Sequence, residues 1–235
     1  MVNSNAKRLI VALDLADPPR ARILAEELSP LGVGFKVGLG LFMAGGPALV
    51  AELASRYRLF LDLKFHDIPN TAAAAVREAA SLGVWMLNLH ASGGKAMLLA
   101  ARNAVEGLQQ RPLLIAVTLL TSIGDPDLSE TGLSGSTTEN VILLARLAAQ
   151  CGFDGVVCSP LEIAAVKAAV SKSFLTVTPG VRFEGAEKND QRRVATPADV
   201  VAVGGDYLVV GRPITGAADP FVAAGRIIAE MGVER

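Results

Sequence analysis

Residues 58–71 read Arg-Leu-Phe-Leu-Asp-Leu-Lys-Phe-His-Asp-Ile-Pro-Asn-Thr, an apolar strand that ends in charge and runs into a helix start. Alternation from Arg58 to Lys64 puts Asp62 and Lys64 on one face and Leu61 and Leu63 on the other. Asp67 follows three positions later. Charges beside a packed apolar strand are costly unless paired or useful. The same grammar recurs along the chain, with strands expected at 8–15, 34–39, 58–65, 84–90, 113–120, 155–159, 175–181 and 207–211. Most are near-continuous apolar runs, the pattern of parallel strands covered on both faces.

Helix patterns fill the gaps. Asp17-Pro18-Pro19 caps and initiates the first, and Ser136-Thr-Thr-Glu139 has capping-box spacing before 141–150. Others cover 44–55, 72–81, 95–108, 161–169, 197–202 and 219–231, and Gly32, Gly83 and Gly152 sit where helices end. Eight strand–helix units in 235 residues leave about 29 residues each, near the minimum for a crossover. The economical fold is α/β, a (β/α)8 TIM barrel with residues 1–235 as one domain; a doubly wound open sheet is the competitor. The longer polar stretches, 122–137 and 182–193, follow strands five and seven, on the face where barrels keep their chemistry.

The bulk numbers exclude several function classes. Net charge is −1, pI is about 6.2 and aromatics are 5%, so neither a basic field nor stacking platforms for nucleic acid are expected. A chain 51% hydrophobic, with mean hydropathy +0.42, implies a large core. No apolar run approaches the roughly 20 residues of a membrane span, and the run at 9–13 stops at Asp14, too short for a signal-peptide core. Cys151 and Cys158 form no CxxC, which fits a reduced, cytoplasmic setting. His66 and His90 alone make a histidine-rich metal site implausible, and no Ser-His-Asp pattern has supporting motifs.

Strand ends read Asp14, Lys36, Asp62 with Lys64, His90, Thr121 with Ser122, Ser159, Arg182 and Arg212. Strands ending at polar loops explain Ser159 and His90. They explain Lys36 poorly, since it interrupts an apolar run, and Asp14 is spare because Asp17 already serves as a cap. Asp62, Lys64 and Asp67 combine two acids with an ammonium, the surroundings of a proton donor rather than of a Schiff-base lysine. A salt-bridge network closing the barrel is the structural alternative. Leu208-Val-Val-Gly211-Arg212 ends strand eight with a glycine that admits an anion to the backbone and a guanidinium fork, with Arg182 adjacent; phosphate is the expected ligand there.

The run Asp62–Thr71 resembles the signature of the orotidine 5′-phosphate decarboxylase family. Val11-Ala-Leu-Asp14, Phe35-Lys36-Val-Gly, Leu120-Thr-Ser, Thr178-Pro-Gly-Val-Arg182, Asp190-Gln191, Thr196-Pro and Val210-Gly-Arg212 extend the likeness in order along the chain. The resemblance implies decarboxylation of orotidine 5′-monophosphate to uridine 5′-monophosphate in pyrimidine nucleotide synthesis, without a cofactor or metal. It implies that Lys64 donates the proton to C6 and that Asp62 lies beside the departing carboxylate. Lys36 completes an alternating Lys–Asp–Lys–Asp chain and, with Asp14, holds the ribose. Asp67, Ile68 and Thr71 reach the partner's site in a homodimer. Thr121 or Ser122, with Thr121 favoured, meets the pyrimidine, while Arg182, Gln191, Gly211 and Arg212 grip the phosphate. Residues 183–190 resemble a lid.

Two rivals share some of this pattern. Magnesium-dependent sugar-phosphate decarboxylases and hexulose-phosphate synthases resemble the chain at strand three but carry an acid at the strand-two position, where Lys36 would repel the ion. A non-catalytic nucleotide-phosphate binding protein would need the phosphate grip without the charged relay.

Overall fold

In the computed structural model, residues 4–183 and 195–232 are described. Eight strands, β1 (Leu9–Ala12), β2 (Gly34–Gly38), β3 (Leu59–Phe65), β4 (Met86–His90), β5 (Leu113–Val117), β6 (Gly155–Val157), β7 (Leu175–Thr178) and β8 (Tyr207–Val210), pair in parallel and in sequence order. β8 returns to β1 and closes the barrel. Around it run α1 (Pro18–Leu28), α2 (Leu39–Arg56), α3 (Pro69–Ser81), α4 (Gly94–Ala104), α5 (Thr137–Gln150), α6 (Ile163–Ala169), α7 (Pro197–Ala202), α8 (Arg212–Thr215) and α9 (Pro220–Glu230). The barrel is the one expected, and the open sheet is excluded by closure.

Alternation divides the core in two. Outward residues such as Leu9, Val11, Phe35, Val37, Leu59, Leu61, Leu87 and Val210 pack beneath the helices. Inward residues Ile10, Phe60, Met86, Ile115, Val177 and Val209 fill the barrel, with Trp85 and Tyr207 packed against them. Burying a Val, Leu, Ile, Phe or Met side chain contributes about 1.5–3 kcal/mol, which is why both faces of these strands are apolar. Further along two of the inner rows the lining changes character: Ile10 and Ala12 lead to Asp14, and Phe60 leads to Asp62. The same pleat that packs the floor therefore aims charge into the mouth.

Local differences have local causes. The ladders end earlier than the apolar runs, so 13–15 and 118–120 leave the sheet. α2 starts at Leu39 rather than 44 and kinks where Gly46 takes φ 63 ahead of Pro47. Asp17 occupies the cap position of α1, but its side chain makes no capping bond. The Ser136 box forms as expected, with Glu139 N–H donating to the Ser136 hydroxyl and Ser136 N–H to the Glu139 carboxylate. Gly32, Gly83 and Gly152 all take positive φ after their helical turns. No helix among the described residues is long and apolar enough to cross a membrane.

Candidate active site

The C-terminal ends of the strands surround a cavity of about 510 Å3, a size suited to a small-molecule ligand. One wall is a line of alternating charge. Lys36 Nζ donates to Asp14 Oδ1 at 2.9 Å and lies 3.1 Å from Asp62 Oδ2. Lys64 Nζ donates to Asp62 Oδ1 at 2.7 Å. The four formal charges cancel, so the wall holds two ammonium groups without a net field.

Burial alone would draw the Lys36 ammonium down; Asp62 and then Asp14 outweigh it and hold its pKa above the ordinary lysine value. Burial alone would raise Asp62; Lys36 and Lys64, helped by hydrogen bonds from Lys64 and Asn88, hold it below the ordinary carboxylate range. The two lysines differ in freedom. The Lys36 side chain is 8% exposed and clamped between two carboxylates, whereas Lys64 is 29% exposed and lines the cavity with one carboxylate behind it. Of the two ammonium groups, Lys64 is the more accessible to a ligand in the cavity.

β3 is not a regular strand where it carries these groups. Its ladder to β4 shifts register between Leu61 and Phe65, and Lys64 has φ 51, the only positive φ of a non-glycine among the described residues. A left-handed L-residue costs about 1–2 kcal/mol, and bulges beside active sites commonly re-aim a side chain. Gly38 is also constrained: a Cβ there would lie 3.0 Å from both Asp14 Oδ1 and Lys36 Nζ, so any side chain would press on the ion pair. Sequence reading missed Gly38 and Asn88. The available signal for Asn88 was an amide alone in the apolar run Met86-Leu-Asn-Leu-His90.

The opposite wall comes from β5, β7 and β8. Thr121 is buried and Ser122 exposed, and both line the cavity. Arg182 is nearly buried; its guanidinium donates to Val181 O at 2.8 Å and its backbone N–H to Ala195 O at 3.0 Å. Gly211, Arg212 and Thr215 complete the rim, with α8 starting at Arg212. A Cβ at Gly211 would meet Ala12 and Asp14 only at ordinary contact distances, so packing leaves room for a side chain there.

Asp67, Ile68 and Thr71 do not join Lys64 within the chain. All are exposed, Ile68 to 68%, and the Asp67 carboxylate accepts the Ile68 N–H at 2.7 Å. The grouping of both acids around one ammonium is therefore absent from the described residues of a single chain. His66 and His90 face each other at the ends of β3 and β4 with ring centroids 5.4 Å apart. Gln191 and positions 184–190 of the expected lid lie outside the described residues. Among those described, no three His, Cys, Asp or Glu side chains are grouped to hold a metal ion.

The sequence profile of the family described as Orotidine 5′-phosphate decarboxylase / HUMPS matches residues 7–227. A protein from Chromobacterium violaceum named orotidine 5′-phosphate decarboxylase is 51% identical over 226 residues, covering 96% of this chain and 92% of its own. One of the same name from Alkalilimnicola ehrlichii is 52% identical over 228 residues, covering 97% of each. The crystal structure of orotidine 5′-phosphate decarboxylase from Lactobacillus acidophilus superposes with a TM-score of 0.85 at 37% identity, over 97% of this chain and 100% of that one.

Proposed function

The chain belongs to the orotidine 5′-phosphate decarboxylase / HUMPS family, and from that premise we propose how its barrel mouth converts orotidine 5′-monophosphate to uridine 5′-monophosphate without a cofactor. The reaction breaks the bond between C6 and the carboxylate and leaves the electron pair on C6, in the ring plane and outside the π system. Decarboxylases usually recruit a cofactor as electron sink. Here the sink is replaced by a fixed ammonium at the carbon where charge develops. Lys64 transfers a proton to C6 as carbon dioxide leaves and recovers one from solvent after product release.

The carrying observation is the run Asp14–Lys36–Asp62–Lys64, ion-paired throughout and ending in the more open of the two lysines that line the cavity. Asp62, beside the departing carboxylate, orients Lys64; Lys36 and Asp14 hold the ribose hydroxyls. Thr121 meets the pyrimidine edge. Arg182, Gly211 and Arg212, with Gln191, take the phosphate at a site barrels commonly use, and approach of that anion explains a glycine that packing alone does not require. Catalysts of this kind lower barriers by roughly 8–23 kcal/mol. A single lysine cannot supply all of that; phosphate and ribose contacts provide the remainder by fixing the pyrimidine against it.

Asp67, Ile68 and Thr71 complete the partner's site in a homodimer, which accounts for an exposed isoleucine beside an acid that meets no cation among the described residues of its own chain. Two buried cysteines that form no disulfide fit a cytoplasmic enzyme. The family description also covers relatives whose resemblance calls for magnesium and an acid in place of Lys36. Loss of orotidine 5′-monophosphate absorbance in excess chelator tests the reading: undiminished turnover supports it, and dependence on added magnesium overturns it.

A further inference from the structure

Resting on the reaction just described, we infer that Asn88 is a positioning residue that fixes the proton donor from behind. The β3–β4 ladder pairs Leu61 with Leu87 and next Phe65 with Leu89. Asp62, Leu63 and Lys64 therefore stand opposite Asn88 alone, and the ladder cannot serve their backbone groups. The Asn88 side chain takes over that work. Its Oδ1 accepts the Lys64 N–H at 2.8 Å, and its Nδ2 donates to Asp62 Oδ1 at 2.6 Å. That oxygen also accepts Lys64 Nζ at 2.7 Å. A single amide thus ties the backbone of the proton donor to the carboxylate that orients its ammonium.

Asn88 is 0% exposed and does not line the cavity, so it acts through Lys64 rather than on substrate. Its chemistry is specific: one acceptor for an N–H and one donor for a carboxylate are needed, which an amide supplies and neither a carboxylate nor an aliphatic side chain does. Without it, the Lys64 N–H loses its acceptor at a partly buried strand end, at the left-handed residue whose Nζ it helps to aim. The phosphate-facing groups on β7 and β8 lie across the cavity and are untouched by such a change.

The experiment compares Asn88→Ala and Asn88→Asp with the parent enzyme in steady-state decarboxylation, uridine 5′-monophosphate binding and thermal melting. In Asn88→Ala, kcat is expected to fall about a hundredfold, the scale of a misplaced reacting group, with KM and product affinity within about threefold. Asn88→Asp keeps the acceptor for the Lys64 N–H but sets a second carboxylate against Asp62. Titratable groups around position 88 are Asp62 and Lys64 from β3, Lys36 from β2 and His90 two residues along β4. Two carboxylates so close share a proton, so the activity of Asn88→Asp relative to parent should rise as pH falls from 8 to 6, by about tenfold. Loss of packing alone would not produce that recovery. Full kcat in folded Asn88→Ala, or a pH-independent ratio for Asn88→Asp, overturns the inference. If Asn88→Ala does not fold, Asn88→Ser and Asn88→Asp decide it by the same two readouts. A parent enzyme inactive on orotidine 5′-monophosphate would instead overturn the reaction, before any variant is compared.

Discussion

The two ends of the barrel use charge in opposite ways. At the mouth, Asp14, Lys36, Asp62 and Lys64 bond to one another and border an open cavity. At the floor, charged groups bond to the backbone and close the fold. Asp206, just ahead of β8, accepts from Thr176 N–H on β7 at 2.8 Å and pairs with Lys167 at 2.6 Å. Asp154, just ahead of β6, repeats the device, accepting from Leu114 N–H on β5 at 2.8 Å and taking both arms of Arg111. Arg8 donates to the carbonyls of Gly205 and Asp206, and Arg58 donates to the Lys7 carbonyl while lying over the Trp85 ring. Mouth charges keep one another ready; floor charges hold neighbouring strands together. Loss of the first should therefore be read in rate and loss of the second in stability.

The largest effect should come from Lys64→Ala. Turnover is expected to drop by at least about ten-thousandfold, because in the proposed reaction one substitution removes both the proton source and the cation facing the developing charge. Uridine 5′-monophosphate binding should remain measurable, and the melting temperature should stay level or rise as a strained, partly buried cation is removed. A drop in stability with only a few-fold loss of rate would erase the contrast between the ends. A mixing experiment sharpens it. Asp67→Ala and Lys64→Ala subunits are each inactive in this reading, yet a hybrid dimer carries one complete site. Random exchange should restore about a quarter of parental activity, since half the dimers are hybrid and each has one working site of two. No recovery despite demonstrated exchange would place Asp67 in its own chain's chemistry.

At the floor, Asp206→Ala should lower stability by about 2–4 kcal/mol, since it takes the acceptor from the Thr176 N–H and the counter-ion from the mostly buried Lys167 ammonium, which keeps only the Lys172 and Phe174 carbonyls. In a chain of this length that corresponds to roughly 5–15 °C in melting temperature. At assay temperatures below the transition, kcat and KM should match the parent within about twofold. A selective loss of kcat would mean that the floor is coupled to the mouth.

Much of this was legible in sequence, and the exceptions share a cause. Strand positions could be read because barrel strands are apolar on both faces, so each stands out as a block. Lys36, Asp62 and Lys64 could be read because a charge inside such a block has few cheap explanations. Asn88 stood out in the same way, but its task could not be read, since that exists only after a bulge puts three β3 residues against one on β4, and alternation alone foresees no bulge. Asp154 and Asp206 look like turn residues until closure brings β5 beside β6 and β7 beside β8. Asp67 is three residues from Lys64 in sequence but makes no ion pair with it among the described residues of the chain's own fold, because the strand ends between them. Residue type revealed what needed a partner; only the topology revealed which partner was near.

The smallest expected effect lies at the rim, where His90 ends β4 beside His66. Burial, then His66 and Lys64, pull its pKa below 6.5, with Asp62 opposing. The neutral ring is therefore favoured in the fold, and the unfolded chain takes up its proton first as pH falls. Its contribution to stability is complete above about pH 6.5 and is lost as pH drops through the lower folded value. Because the ring is only half buried, solvent screening should keep the loss under about 1 kcal/mol. Melting curves at pH 7.5 and pH 5 should therefore show a slightly steeper acid loss in the parent than in His90→Gln, by no more than about 4 °C. Identical slopes would mean that the imidazole protonates as readily in the folded rim as in water. The rim would then belong electrostatically to the solvent, and the protected region of the mouth would begin only deeper, at Asp62.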